Sequence, residues 1–369
     1  MHRSRAIDIL RAVAVLLVMG RHLDRCPTAT SSTLHWFTNL WQIGGWVGVD
    51  LFFVLSGFLV SGLLFREYEK HGVISLKSFL IRRGFKIYPA FWLLLLVTLI
   101  IAAVTGREYK MLAVPCELLF LQNYGPALWN HTWSLAVEEH FYLFLVLLLF
   151  ALLKWRHNPN PFRIVPTLFA CLAITCLGLR LATEHVTPVF SDKTNLFPTH
   201  LRMDSLFCGV TLSYYYHTYP VAFMAWARRW RWPLMGLGLL ALSPAFLYDI
   251  KTTPYIYTFG LTQFYLGGAC LLVALLGLKL PENWFVRSLS HIGSHSYSIY
   301  LWLMAWLTWI VPLISGASKA DRHWPLYAVT YLGGGILFGI SIAAVIEFPL
   351  LRLRDRWFPS RSRALETGK

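Results

Sequence analysis

Apolar runs long enough to cross a bilayer recur from one end of the chain to the other, separated by short polar loops. The pattern predicts ten helical spans, roughly 6–24, 44–65, 87–105, 132–153, 162–181, 201–217, 232–248, 255–278, 295–315 and 326–349. No tandem repeat or low-complexity tract interrupts them. The expected fold is therefore an all-α, polytopic membrane bundle, with a membrane domain over 1–351 and a short basic cytoplasmic tail over 352–369. The lipid bilayer is its first partner.

The loops carry a charge bias that orients these spans. With the N-terminus inside, the inner segments hold 22 Lys and Arg residues and the outer loops seven. The bias holds at every loop pair, which predicts that both termini are cytoplasmic. One span more or fewer would break the alternation. Trp41, Trp46, Trp129, Trp133, Trp230, Trp232, Trp324 and Trp357 fall near span ends and read as interfacial anchors. The glycines Gly333, Gly334, Gly335 and Gly339 allow close helix contact.

Composition agrees. The 369 residues are 56% hydrophobic and 14% charged, with mean hydropathy +0.53. A net charge of +15 would suggest nucleic acid in a soluble protein. Here the basic residues sit in loops beside apolar spans, so no nucleic-acid partner is expected. Met1 to Arg5 before an apolar run resembles a signal peptide, but Arg11 breaks the run and no cleavage site follows, so a retained first helix is expected. The six cysteines show no metal spacing, and no metal site is expected. Cys171, Cys176, Cys208 and Cys270 lie in apolar runs, whereas Cys26 and Cys116 share the outer side, where a disulfide can form.

Candidate chemistry starts in the first span, where Asp8, Arg11, Arg21 and His22 interrupt the apolar sequence. Arg11 and His22 are about three helical turns apart, hence on one face and roughly 16 Å apart along it. Asp8 is positioned to pair with Arg11. That face is expected to line a substrate channel, with a cation at one end and a titratable base at the other.

Ionisable residues within spans are costly and are functional candidates by default. Asp50, Glu138, Arg202, Asp204 and Glu347 qualify, each with a plainer alternative. Arg202 and Asp204 can simply pair with each other, Glu347 can hold a helix end before Pro349, and Glu139 and His140 can face headgroups. Ser56-Gly57 reads as a small-residue packing notch or a reactive serine, although no nucleophile elbow surrounds it. Arg82, Arg83 and Lys86 cluster in an inner loop at the start of a helix, as a positive-inside anchor or a seat for phosphates. No P-loop or dinucleotide fingerprint is present.

Taken together, these segments resemble the integral-membrane acyltransferase 3 family. Its Asp-x-x-Arg-x10-His pattern is similar to Asp8, Arg11 and His22. Its Phe-Phe-x-x-Ser-Gly-Phe block resembles Phe52 to Phe58, and its Arg-Arg-x-x-Arg-Ile-x-Pro block resembles Arg82 to Pro89. The Trp-Ser-Leu-x-x-Glu-x-x-Phe-Tyr block is similar to Trp133 to Tyr142, Tyr-Ser-x-Tyr-Leu-Trp to Tyr297 to Trp302, and Glu-x-Pro to Glu347 to Pro349. Two positions depart: Lys86 stands where the family usually has Arg, and Leu303 where it usually has His.

The resemblance implies acyl transfer, acetyl by default, from cytoplasmic acyl-CoA to a hydroxyl of a carbohydrate or glycosylated acceptor, in a bacterial cytoplasmic (inner) membrane. Arg82, Arg83 and Lys86 would hold the nucleotide phosphates, the pantetheine arm would pass Arg11, and His22 would act as general base with Glu138 orienting it or binding the acceptor. Asp8, Asp50, Ser56, Arg202, Asp204 and Glu347 remain binding or structural candidates. Some family members fuse a soluble periplasmic hydrolase-like domain. This sequence stops before one, so transfer directly or through a separate partner is expected. A homodimer is compatible with the pattern. The competing reading is a transporter or flippase of lipid-linked saccharides, against which stands the lack of paired broken helices in matching halves. A non-catalytic membrane scaffold leaves the aligned Arg11 and His22 unexplained.

Overall fold

The computed structural model describes residues 5–155, 160–316 and 323–360. Arg3, Arg156, Lys319, Arg322, Arg361, Arg363 and Lys369, which enter the predicted charge bias, lie outside them. The described residues are helical and contain no strand. The principal helices are α1 (Arg5–His22), α2 (Ser32–Gly44), α3 (Gly48–His71), α4 (Leu76–Thr105), α5 (Ala113–Leu118), α6 (Trp133–Trp155) and α7 (Val165–Val186). They continue as α8 (Met203–Thr218), α9 (Pro220–Leu242), α10 (Phe259–Gly277), α11 (Trp284–Ser294), α12 (Ser296–Ser315) and α13 (Trp324–Trp357). The last two pass through π turns at Trp306–Ile310, Thr330–Gly334 and Ala343–Glu347.

Among the described residues, seven helices are long and apolar enough to cross a membrane. The helix running Ser32–His71 is one of them, joining α2 to α3 through a short 3-10 turn. Three predicted spans fall short by length or charge: α1 carries Arg5, Asp8, Arg11 and Arg21, α8 has 16 residues, and α9 carries Arg228, Arg229 and Arg231. Large apolar side chains point outward along the bundle, including Leu96, Leu147, Ile174, Leu240, Leu337 and Val345. A water-facing surface would not tolerate so continuous an apolar cover.

The first helix is largely buried along one side. Ala12, Ala14, Val15 and Met19 have no exposed surface, and α1 packs on α3, α10, α11 and α12. Gly293 and Gly45 let two neighbours approach its backbone, since a Cβ at either would lie within 2.2 Å of an α1 carbonyl oxygen. Helices α3 and α8 cross at Gly57 and Gly209 in the same way, each glycine against the other helix's backbone. Gly334, Gly335 and Gly339 make close contacts of the predicted kind within the chain, against Trp306, Leu303 and Ile299.

Several details differ from the sequence expectations. Trp46, Trp129 and Trp133 are buried and are not interfacial anchors. Trp133 stacks on Phe197, with centroids 4.7 Å apart, and Trp129 donates through Nε1 to Thr98 at 2.8 Å. All six cysteines, Cys26 and Cys116 included, are free thiols. Helix α4 begins at Leu76, capped by the Ser75 hydroxyl, so Arg82, Arg83 and Lys86 stand on a helix and not in a loop. The segment after Leu351 also starts as helix through Trp357, with Asp355 bonded to Arg82 at 2.9 Å, and is not a free tail there.

Candidate active site

A cavity of about 980 Å³ runs between α1, α3, α4, α6, α12 and α13. Helix α3 contributes residues from Val49 to Lys70, a run of roughly 30 Å at helical rise. Arg66, Lys70, Arg82, Lys86 and Arg354 line one end and outnumber the acids Glu67 and Glu69 there. Phe52, Phe53, Ser134 and Tyr300 line the other. The cavity is thus basic at one end and aromatic and hydroxyl-lined at the other.

Between the two ends the separated motifs lock together. Ser56 Oγ donates to Glu138 Oε1 at 2.8 Å. The Tyr142 hydroxyl donates to Glu138 Oε2 at 2.6 Å and lies 3.1 Å from Ser56 Oγ. Arg83 Nη2 approaches Glu138 Oε2 at 3.5 Å, hydrogen-bonds the Tyr142 hydroxyl, and lies over its ring at 3.9 Å. Tyr142 follows Glu138 by four residues on α6, so both reach the same side of the helix. That spacing was visible in the sequence, although only the glutamate stood out.

The remaining blocks join the same wall. The Tyr297 hydroxyl donates to the Ile87 carbonyl at 2.7 Å, tying α12 to α4. Ser298 donates to Glu347 at 2.6 Å, so the acid at the π turn of α13 is buried with a partner instead of merely ending a helix. Arg11 Nε donates to Ser296 at 3.0 Å, and buried Asp8 accepts from Ser290 at 3.4 Å. Of the residues singled out in the sequence, Asp8, Arg11, Ser56, Arg82, Arg83, Lys86, Glu138 and Glu347 therefore line one cavity.

Arg82 and Arg83 are about equally exposed, at 18% and 17%, but bond to different partners. Arg83 is committed to Glu138 and Tyr142 midway along the cavity. Arg82 reaches Asp355 and the Phe358 carbonyl near the basic end. Ser56 lines the cavity, and Gly57 forms the packing notch against α8.

The other candidates lie elsewhere. Arg202 and Asp204 do not pair with each other. Arg202 bonds to Asp50 at 2.7 Å, and Asp204 bonds to Arg180 at 2.5 Å, with all four side chains at most 1% exposed. Arg180 lies in the apolar run of α7 and was not singled out; a lone arginine there was its signal. Glu139 and His140 bond inside the chain, to Tyr88 and Thr199. His22 is not among the cavity-lining residues. The face of α1 between Arg11 and His22 is filled by buried Val15 and Val18, so it forms packed core and not an open channel. Leu303 is also buried, against the position of Gly335.

The chain is similar to known proteins along most of its length. An acyltransferase 3 family, described as an acyltransferase domain, matches residues 4–344. A Staphylococcus aureus (strain COL) protein that carries a provisional O-acetyltransferase name is 28% identical over 98% of this chain and 58% of its own. The peptidoglycan O-acetyltransferase OatA of Listeria monocytogenes is 27% identical over 84% of this chain and 50% of its own. The O-acetyltransferase OatA of Staphylococcus aureus (strain NCTC 8325) is 29% identical over 80% and 49%. The chain therefore spans about half the length of these relatives. No solved structure gives a significant match. With a match across nearly the whole sequence, the chain belongs to the acyltransferase 3 family.

Proposed function

We propose that the chain is a multi-pass membrane O-acetyltransferase, moving acetyl from cytoplasmic acetyl-CoA to a glycan hydroxyl with His22 as general base. The observation that carries the donor-binding part of this reading is the cavity, basic at one end and lined by Arg11, Ser56, Arg83 and Glu138 along its length. A coenzyme A thioester has the same polarity, with phosphates at one end and the reacting thioester at the other. Arg82 and Lys86 would bind the phosphates as charge-assisted donors. Arg83, held by Glu138 and Tyr142, would stiffen the wall beside the arm. In a bundle of ten spans with both termini cytoplasmic, the basic end opens inward and His22 lies towards the outer face. Peptidoglycan is the acceptor class suggested by the name of the Listeria relative.

In the transfer itself, the acceptor oxygen attacks the thioester carbonyl carbon. The new C–O bond forms, the C–S bond breaks, and the hydroxyl proton passes to the His22 imidazole and then to the departing thiolate. A base so placed contributes roughly 10²–10⁴ in rate. His22→Ala tests the assignment: acetyl transfer falls by that order while insertion and thermal stability persist. Full activity in a stably inserted variant removes His22 from the chemistry.

A further inference from the structure

The end of α13 turns one arginine inward. Its last ten residues, Phe348–Trp357, lie against α4. Phe85 of α4 packs on Trp357 and Phe358, with ring centroids 6.3 and 5.9 Å apart. Arg352 and Arg356 are exposed, as basic residues next to a bilayer surface commonly are. Arg354 between them is not. Its side chain is 14% exposed and lines the basic end of the cavity with Arg82.

One oxygen holds these two arginines together. Asp355 Oδ1 accepts from Arg82 Nη2 at 2.9 Å, from Arg354 Nη2 at 2.8 Å and from Arg354 Nε at 3.0 Å. Two guanidiniums this close repel each other, and the shared carboxylate offsets the repulsion. Asp355 itself is not among the described cavity-lining residues, so it stands behind the pair. A guanidinium has five N–H donors, and Arg354 gives two of them to Asp355. Lys86 of α4 and Arg66 and Lys70 of α3 line the same end. Two planar forks side by side, amid a surplus of positive charge, suit an anion with several oxygens.

We propose that Arg354 binds a phosphate of the donor nucleotide, and that Asp355 is a positioning residue that holds Arg354 and Arg82 side by side to receive it. This rests on acetyl-CoA being the donor that enters the basic end. The last turns of α13 then complete the donor site from the opposite side to α3. Arg354 grips phosphate oxygens through its N–H groups and takes part in no bond change, so it acts on donor affinity and not on the transfer step.

The experiment measures binding of CoA to the full chain by calorimetry in phosphatidylcholine nanodiscs, whose headgroups carry no net charge to compete. Melting temperatures in the same nanodiscs report folding. Arg354→Gln is expected to weaken CoA about tenfold, and Arg354→Lys, which keeps the charge but not the fork, to recover part of the loss. Asp355→Ala removes the shared oxygen and should weaken CoA several-fold, whereas Asp355→Asn keeps an acceptor oxygen and should stay nearer wild type. Pantetheine, which lacks the nucleotide, should bind all four variants alike. Wild-type affinity for CoA in Arg354→Gln overturns the proposal and leaves Arg354 a membrane anchor. Affinity in Asp355→Ala equal to or tighter than wild type overturns the positioning role. A wild-type chain that binds no CoA overturns the donor assignment itself, and that result needs none of the variants.

Discussion

Ser56 on α3 and Glu138 on α6 are 82 residues apart in sequence, and their side chains meet at 2.8 Å in the wall of the cavity. The same carboxylate receives Tyr142 and faces Arg83, so three helices share one acid. Glu138 is therefore the counter-ion that lets Arg83 stand inside the bundle. A guanidinium at that depth needs compensation.

Glu138→Gln keeps an acceptor for Ser56 and removes the charge opposite Arg83. The pair is largely buried, with side chains 17% and 14% exposed. A loss of about 2 kcal/mol is expected, below the roughly 3–5 kcal/mol of a fully buried pair. Thermal unfolding in detergent would register it, and acetyl transfer should fall at least tenfold. An unchanged melting temperature would mean that Arg83 does not depend on this carboxylate.

The basic end should act on the nucleotide and not on the acyl group. Arg82→Gln with Lys86→Gln is expected to raise KM for acetyl-CoA about tenfold or more, each charge-assisted contact being worth roughly 1.5–3 kcal/mol. Acetyl-pantetheine, which lacks the nucleotide, should be used equally by variant and wild type. Equal loss with both donors would point to an anchor role for these residues.

Glu117 gives the fold a pH dependence outside the spans. It is fully buried and accepts from the Leu128 and Trp129 amides and from Thr132. Burial is the larger influence and pushes its carboxyl up to about 7 from 4.5. A raised carboxyl favours the protonated fold, so this contribution is full below about pH 4.5 and is lost as pH rises through 7. The total is on the order of 3 kcal/mol. Melting temperatures measured from pH 5 to 8 should show the decline, and Glu117→Gln should flatten it. A variant with the wild-type slope would assign the dependence to another group.

Glycines of α3 and α7 predict opposite outcomes for one substitution. A Cβ at Gly57 would lie 1.8 Å from the Leu206 carbonyl oxygen, whereas one at Gly178 meets nothing within 4 Å. Gly57→Ala should cost about 1–3 kcal/mol through overpacking. Gly178→Ala should be neutral or gain up to about 1 kcal/mol from lower unfolded-chain freedom. Thermal melts of the two variants side by side are sufficient, and equal stabilities would refute the crossing geometry.

Hydrophobic periodicity determined the helical, membrane-spanning character of the chain, because apolar run length and loop charge are local properties. The same locality placed Arg11 and His22 on one face of α1 and marked Arg82, Arg83 and Lys86 as a cluster. Which residues touch was a different matter. The pairing of Arg202 with Asp50 and of Asp204 with Arg180 depends on how α3, α7 and α8 cross, and nearness in sequence suggested the wrong partners. Glu138 could be seen as an awkward acid, but its bonds to Ser56, Tyr142 and Arg83 exist only where α3, α4 and α6 pack. The packing also closed the α1 face with Val15 and Val18 and put the cavity along α3 instead. Periodicity tells a helix which side is unusual; the neighbours that pack against that side decide whether it becomes a wall, a core or a site.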